Sequence, residues 1–124
     1  MILGLGVDIC PVNRIEEVLE RQGVSFEEKV FTDGERRYSV GKAKGDRLAA
    51  RWAAKEAGIK ALGAPEGLHW HDLEVRNRED GAPTLIMRGA AAERAKTLGV
   101  TNTLLTLSHA GGMAVAVVIL EGLS

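Results

Sequence analysis

"RWAAKEAGIKALG", residues 51–63, decides how the chain is read: four alanines and two glycines describe a helix that packs closely, yet Arg51, Lys55, Glu56 and Lys60 run through it. At about 100° per residue, Leu48, Trp52, Ile59 and Leu62 gather on one side, while Ala50, Ala53, Ala54, Ala57 and Ala61 cover much of the other. Few directions remain for solvent. Glu56 and Lys60 stand at i,i+4 and can form an ion pair along the helix. Arg51 and Lys55 have the same spacing with like charges, a conflict that an external anion would relieve.

Outward from this segment, the helix is expected from about Asp46 to Leu62, closed by Gly63 and Pro65. A polar, glycine-punctuated loop, "SVGKAKGDR" at 39–47, leads into it. Upstream, "ILGLGVDI" reads as a strand ending near Asp8, its glycines allowing close approach of another backbone or a ligand. After Pro11, the spacing of Ile15, Val18 and Leu19 with a Glu17–Arg21 pair predicts an amphipathic helix stopped by Gly23. Two capping-box patterns follow, Ser25 with Glu28 and Thr32 with Glu35. Downstream, "DLEVRN" and "PTLIMR" predict strands around the Glu79-Asp80-Gly81 turn, "GAAAERAKTLG" a short helix, and "NTLLTLSH" and "MAVAVVILE" two strands joined by "AGG". This order favours an α+β fold with a mainly antiparallel sheet and a long central helix, in one domain covering residues 1–124.

Composition narrows the function classes. With 45% hydrophobic and 27% charged residues, the chain has the balance of a folded globular protein. A single cysteine, Cys10, excludes an internal disulfide framework and is read as a packing residue. The start "MILGLGVDIC" carries no basic leader, and the longest apolar run, "MAVAVVIL" at 113–120, is too short to span a bilayer, so a cytoplasmic location is expected. A net charge of −1 makes no case for nucleic acid or membrane. Residues 35–60, however, hold eight Lys and Arg against three acids, a local net charge of +5 that suits an anionic ligand or partner.

Asp8 can cap the following helix or form a turn. If the first strand lies beside the long helix, Asp8 and Glu56 instead converge as two hard oxygen ligands, the manner in which Mg²⁺ is held together with waters and substrate phosphates. "HWH" at 69–71 offers two imidazoles at i,i+2 but no further ligand, so a metal site there is disfavoured. Ser108 next to His109 lacks a nucleophile-elbow sequence, and "GLG" has no Walker lysine. Hydrolase, P-loop and dinucleotide-binding readings fail accordingly.

Taken together, "GLGVDI" with Arg14, "FTDGE" at 31–35, "RWAAKEAGIKALG", "DLEV" with "GAPTL", and "LSHAGGMAVAVVI" closely resemble the holo-[acyl-carrier-protein] synthases of the phosphopantetheinyl transferase family, in order and spacing almost from end to end. The resemblance implies Mg²⁺-dependent transfer of 4′-phosphopantetheine from coenzyme A to a serine of an apo acyl carrier protein, releasing adenosine 3′,5′-bisphosphate and supporting fatty acid biosynthesis. It implies Asp8 and Glu56 as metal ligands and, with Lys60, as the catalytic set, Lys60 lying beside the coenzyme A diphosphate. Arg47, Arg51, Gly63, Pro83 and His109 would complete the coenzyme A site, Arg14 and Arg21 would dock the acidic carrier protein, and the family's trimeric assembly would place some contacts across subunits. Glu56 or a metal-polarised water would take the serine proton, the water being favoured because a metal-bound carboxylate is a poorer base. Two departures stand out: Gly63-Ala64-Pro65 replaces the family's common Gly-Thr-Gly, and Ala110 follows Ser108-His109, which favours His109 as a contact rather than a base. A noncatalytic coenzyme A-binding module would explain the basic segment but not the paired carboxylates, and a structural oligomer would need the charges paired internally.

Overall fold

Alternation of small and large residues builds the first strand, β1 (Ile2–Pro11), and determines what covers it. Gly4, Gly6, Asp8 and Cys10 share one face; Leu5, Val7 and Ile9 share the other. In the computed structural model, which describes residues 1–123, the glycine face lies directly on a helix, α4 (Lys44–Ala61). A Cβ built on Gly6 would collide with the carbonyl oxygen of Ala57, and one on Gly4 with that of Ala61. Backbone therefore meets backbone, and no other residue type fits at either position.

The remaining elements are α1 (Val12–Gln22), α2 (Val24–Val30), α3 (Asp33–Tyr38), β2 (Leu73–Asn77), β3 (Pro83–Met87), α5 (Gly89–Leu98), β4 (Val100–Ala110) and β5 (Met113–Gly122). β1, β5 and β4 form an antiparallel sheet in that order, while β2 and β3 pair as a separate hairpin. The α+β class and antiparallel pairing agree with the sequence reading. β1 extends past its expected end at Asp8, because β5 pairs with it as far as Pro11–Met113. Pro11 is tolerated because β1 is an edge strand. Gly111 and Gly112, at φ 58° and 75°, form the two-residue turn between β4 and β5.

The second expected capping box forms: Thr32 Oγ1 accepts from the Glu35 amide, and the Glu35 carboxylate accepts from the Thr32 amide at 2.9 Å. The first does not. Gly23, at φ 60°, both ends α1 and precedes α2, so Ser25 falls inside the helix and its hydroxyl donates back to the Gln22 carbonyl. Within the "HWH" stretch and the residue after it, Trp70–Asp72 forms a 3-10 turn.

The core lies between α4 and the inner sheet face, where Ala53, Ala57, Ala114, Ala116, Val118 and Leu120 are fully buried. Small side chains on both layers bring the helix close to the strands, which is what positions Asp8 against α4. Gly6→Ala is expected to destabilise the protein by about 3 kcal/mol, the upper range for overpacking a rigid contact. Chemical denaturation would measure it, and a loss below about 1 kcal/mol would show that the strand can lift from the helix. Among the described residues, no helix is long and apolar enough to cross a membrane.

Candidate active site

Two residues beyond Gly6, Asp8 leaves the inner face of β1 with its side chain 16% exposed. Lys60 donates from Nζ to Asp8 Oδ1 at 3.1 Å and to the Val7 carbonyl at 3.0 Å. Lys60 thus forms its ion pair across the strand–helix junction rather than along α4 with Glu56. Glu56 belongs to the same cluster. Burial and then the charge of Asp8 hold its carboxyl above the usual carboxylate range, against the opposing pull of Lys60. Strand and helix therefore bring together the three residues expected to carry chemistry.

The donor chemistry fits a hard divalent cation. Two partly buried carboxylates, of which Asp8 raises the proton affinity of Glu56, are relieved by a shared positive charge. No group of three or more His, Cys, Asp or Glu side chains suited to a metal occurs among the described residues. A cation on Asp8 and Glu56 would consequently keep positions for water and phosphate oxygens, as Mg²⁺ commonly does. Cys10, 1% exposed, lies beside this cluster; burial pushes its thiol up to about 11, Arg14 opposing and Asp8 and Glu56 reinforcing the shift. A thiol so fully protonated at neutral pH is a packing group and not a nucleophile.

The other basic residues of α4 are deployed differently. Arg51 and Lys60 are about 180° apart around the helix, and Arg51 and Glu56 about 140°. Lys55 is fully buried and its anion is internal: Nζ meets Glu35 Oε1 at 2.7 Å and donates to the carbonyls of Val30 at 2.8 Å and Trp70 at 3.0 Å. This settles half of the like-charge conflict between Arg51 and Lys55. Arg51 is 3% exposed; its Nη2 donates to Asn77 Oδ1 at 2.8 Å and its Cζ sits 4.1 Å from the Tyr38 ring centroid. Arg47 lies over the same ring at 4.8 Å and donates to the Tyr38 carbonyl.

Further expected contacts are dispersed in the single chain. His109, on the inner face of β4, places Nε2 3.4 Å from the carbonyl of Asp46 in the first turn of α4. Gly63, at φ 83°, follows α4, and Arg94 from α5 donates to the Leu62 carbonyl at 2.9 Å. Ala64 takes φ 50°, an uncommon conformation for a residue with a Cβ, at the site of the Gly-Ala-Pro departure. Pro83 opens β3 beside a cleft of about 490 Å³ that also touches Arg78, Leu104 and Val117. Arg14 and Arg21 are exposed on α1. Tyr38 and Asn77 were not legible in the sequence as site residues, since only the folded chain brings them to Arg51; Glu35 was legible as a cap but not as the partner of Lys55.

Residues 4–118 match the family model of the 4′-phosphopantetheinyl transferase superfamily. A holo-[acyl-carrier-protein] synthase from Anaeromyxobacter dehalogenans is 50% identical over 126 residues, covering 98% of either chain. Among solved structures, a holo-[acyl-carrier-protein] synthase from Neisseria meningitidis superposes with a TM-score of 0.87 at 27% identity, covering 98% of this chain and 99% of that one. The Helicobacter pylori synthase in complex with coenzyme A has a TM-score of 0.83 at 28% identity, with coverage of 94% and 99%.

Proposed function

This chain belongs to the 4′-phosphopantetheinyl transferase superfamily, and from that membership we propose that it transfers 4′-phosphopantetheine from coenzyme A to a serine of an apo acyl carrier protein. Adenosine 3′,5′-bisphosphate is the released product, and fatty acid biosynthesis in the cytoplasm is the setting. The observation that carries the reading is the junction of β1 and α4, where Asp8, Glu56 and Lys60 converge.

Asp8 and Glu56 would hold Mg²⁺, which when bound supplies charge neutralisation at the diphosphate. Lys60 offers a fixed ammonium to the same anionic group and counters charge building on the departing phosphate. A water held beside Asp8 and Glu56 can receive the serine proton, Glu56 serving as a ligand rather than as the base. Cys10 takes no part, in keeping with its buried, protonated thiol. Arg14 and Arg21 give α1 a basic surface for the acidic carrier, which makes association salt-sensitive.

The assembly expected is a homotrimer. Leu5, Val7 and Ile9 are 65%, 55% and 54% exposed on the outer sheet face, in register with Ile119, Val117 and Val115, and Leu104 of β4 extends the patch at 44%. An apolar sheet face of this kind needs a cover, and a neighbouring copy can provide one. A shared site would also unite Asp8, Glu56 and Lys60 of one copy with the Arg47–Arg51 side of another. Val117→Asp, at the centre of the face, is expected to convert trimers to monomers in sedimentation and to lower transfer with them. A fully active monomeric variant would remove the shared-site reading.

Transfer itself is tested by mass spectrometry. Incubated with coenzyme A, Mg²⁺ and an apo acyl carrier protein, the enzyme should add one phosphopantetheine to one serine, and chelation should stop it. An unmodified carrier, under conditions where a known synthase modifies it, would overturn the proposal.

A further inference from the structure

Two cationic side chains are buried among the described residues, and they are treated differently. Lys55 has a carboxylate; Arg51 has none within ion-pair distance. Its Nη2 is met by a neutral amide oxygen of Asn77, and its Nε is buried without any partner. A desolvated guanidinium lacking a counter-charge is unfavourable unless something else compensates it. In this chain the face of the Tyr38 ring does so, 4.1 Å away, and Arg47 lies over the same ring.

Tyr38 is itself held through these two arginines, Arg47 donating to its carbonyl at 2.9 Å, while its ring stays half-exposed. It ends α3, is 43% exposed, and precedes a loop whose Gly41, at φ 87°, is so open that a Cβ there would meet nothing within 4 Å. The ring borders a cleft of about 310 Å³ whose lining includes Arg37, Arg51 and Asn77, together with Glu74, whose carboxylate accepts from Arg76 at 3.1 Å. Two arginines, Arg47 and Arg51, thus lie against one half-exposed aromatic ring, Arg37 lines the cleft beside it, and the innermost, Arg51, has spare hydrogen-bonding capacity.

We propose that Tyr38 is a specificity gate: its ring covers Arg51 when the site is empty of nucleotide and gives way to a phosphate monoester, which then takes the guanidinium. The inference rests on the transferase reading, in which the donor's nucleotide end carries such a monoester. A dianionic monoester accepts several charge-assisted hydrogen bonds and outcompetes a ring quadrupole for a guanidinium. A ribose hydroxyl in the same place does not. Donors lacking the monoester would therefore leave the gate closed, so Tyr38 would contribute to selection without touching the reacting atoms.

Binding of adenosine 3′,5′-bisphosphate and of adenosine 5′-monophosphate separates the gate from a structural role. In the parent, the observed association rate for the bisphosphate should level off with concentration, because opening limits it. Tyr38→Ala should make that rate rise linearly and tighten the bisphosphate about tenfold by removing the cation–π competitor, with 5′-monophosphate binding unchanged. Tyr38→Phe, which keeps the ring, should behave as the parent, and Arg51→Gln placed on Tyr38→Ala should abolish the gain. Tyr38→Ser replaces the alanine variant if the latter melts early. Equal or weaker bisphosphate binding in a folded ring-deleted variant would overturn the gate, as would equal tightening of both nucleotides. The carrier mass assay, run alongside, reports separately on transfer: modification of the carrier without bisphosphate binding would defeat the gate alone, and absence of both would defeat the transferase reading as well.

Discussion

Glu56→Gln is expected to give a folded protein that melts above its parent in metal-free buffer at pH 7 and transfers no measurable phosphopantetheine. The stability half follows from linkage. Burial and the charge of Asp8 raise the folded-state pKa of Glu56 above the ordinary carboxylate value, so the native state holds this proton more tightly than the unfolded chain does. Stability contributed by the protonated form is present below the ordinary value and is lost as pH rises through the raised one. At pH 7 the ionised side chain is consequently a liability, which a neutral amide of the same shape removes. Relative to the variant, the parent should gain stability on acidification toward that window. The activity half follows from the loss of one of two carboxylates at a site that would neutralise a diphosphate, and a fall of at least about 10³-fold is expected. Asp8→Asn should lose activity similarly, but it also takes the anion from Lys60 and so brings no gain in stability. Mn²⁺ binding followed by electron paramagnetic resonance gives a readout independent of turnover. A Glu56→Gln enzyme within tenfold of parental rate, or with parental Mn²⁺ affinity, would remove Glu56 from the site.

The parts of this site that the sequence revealed are those governed by local rules. Alanines at helical spacing, with Gly63 beyond the last turn, described α4 because close packing and helix termination leave a composition signature. Thr32 and Glu35 described a helix start because the capping box spans four residues. Gly4 and Gly6 hinted at close approach, but what approached them, the carbonyls of Ala57 and Ala61, lay beyond any sequence rule. Pairings over long separations were invisible for the same reason. Lys60 chose Asp8, 52 positions away, over Glu56 one turn away. The i,i+4 rule describes an isolated helix, whereas here β1 presents both a carboxylate and the Val7 carbonyl to the same ammonium. Arg51 was legible as a cation in want of an anion, yet its burial under Tyr38 and its bond to Asn77 depend on how α3 and β2 pack on α4. The Ser25–Glu28 box failed because Gly23 serves two helices at once, a choice of chain path that four residues do not encode.

Lys55→Met should destabilise the protein by about 3–5 kcal/mol, lowering the melting temperature by roughly 10–20 °C for a domain of this size. The cause is the group left behind. Glu35 and Lys55 are both fully buried, and every hydrogen of the ammonium is used: on Glu35, on the Val30 carbonyl and on the Trp70 carbonyl. Glu35 in turn accepts from the amides of Thr32 at 2.9 Å and Val75 at 2.8 Å. Removing the cation leaves a buried carboxylate and two carbonyls without their donor, whereas replacing both charges removes the worst of these penalties. Glu35→Gln added to Lys55→Met should therefore recover part of the loss, with a coupling energy of about 2 kcal/mol in a double-mutant cycle. Simple additivity would mean that the pair is not what holds these segments. The cycle also bears on the chemistry, because the pair ties the end of α2, the cap of α3, the 3-10 turn and β2 to one point on α4. That point adjoins Glu56 in the chain, so the contacts that neutralise Lys55 also fix the rotation of the helix that turns Glu56 toward Asp8.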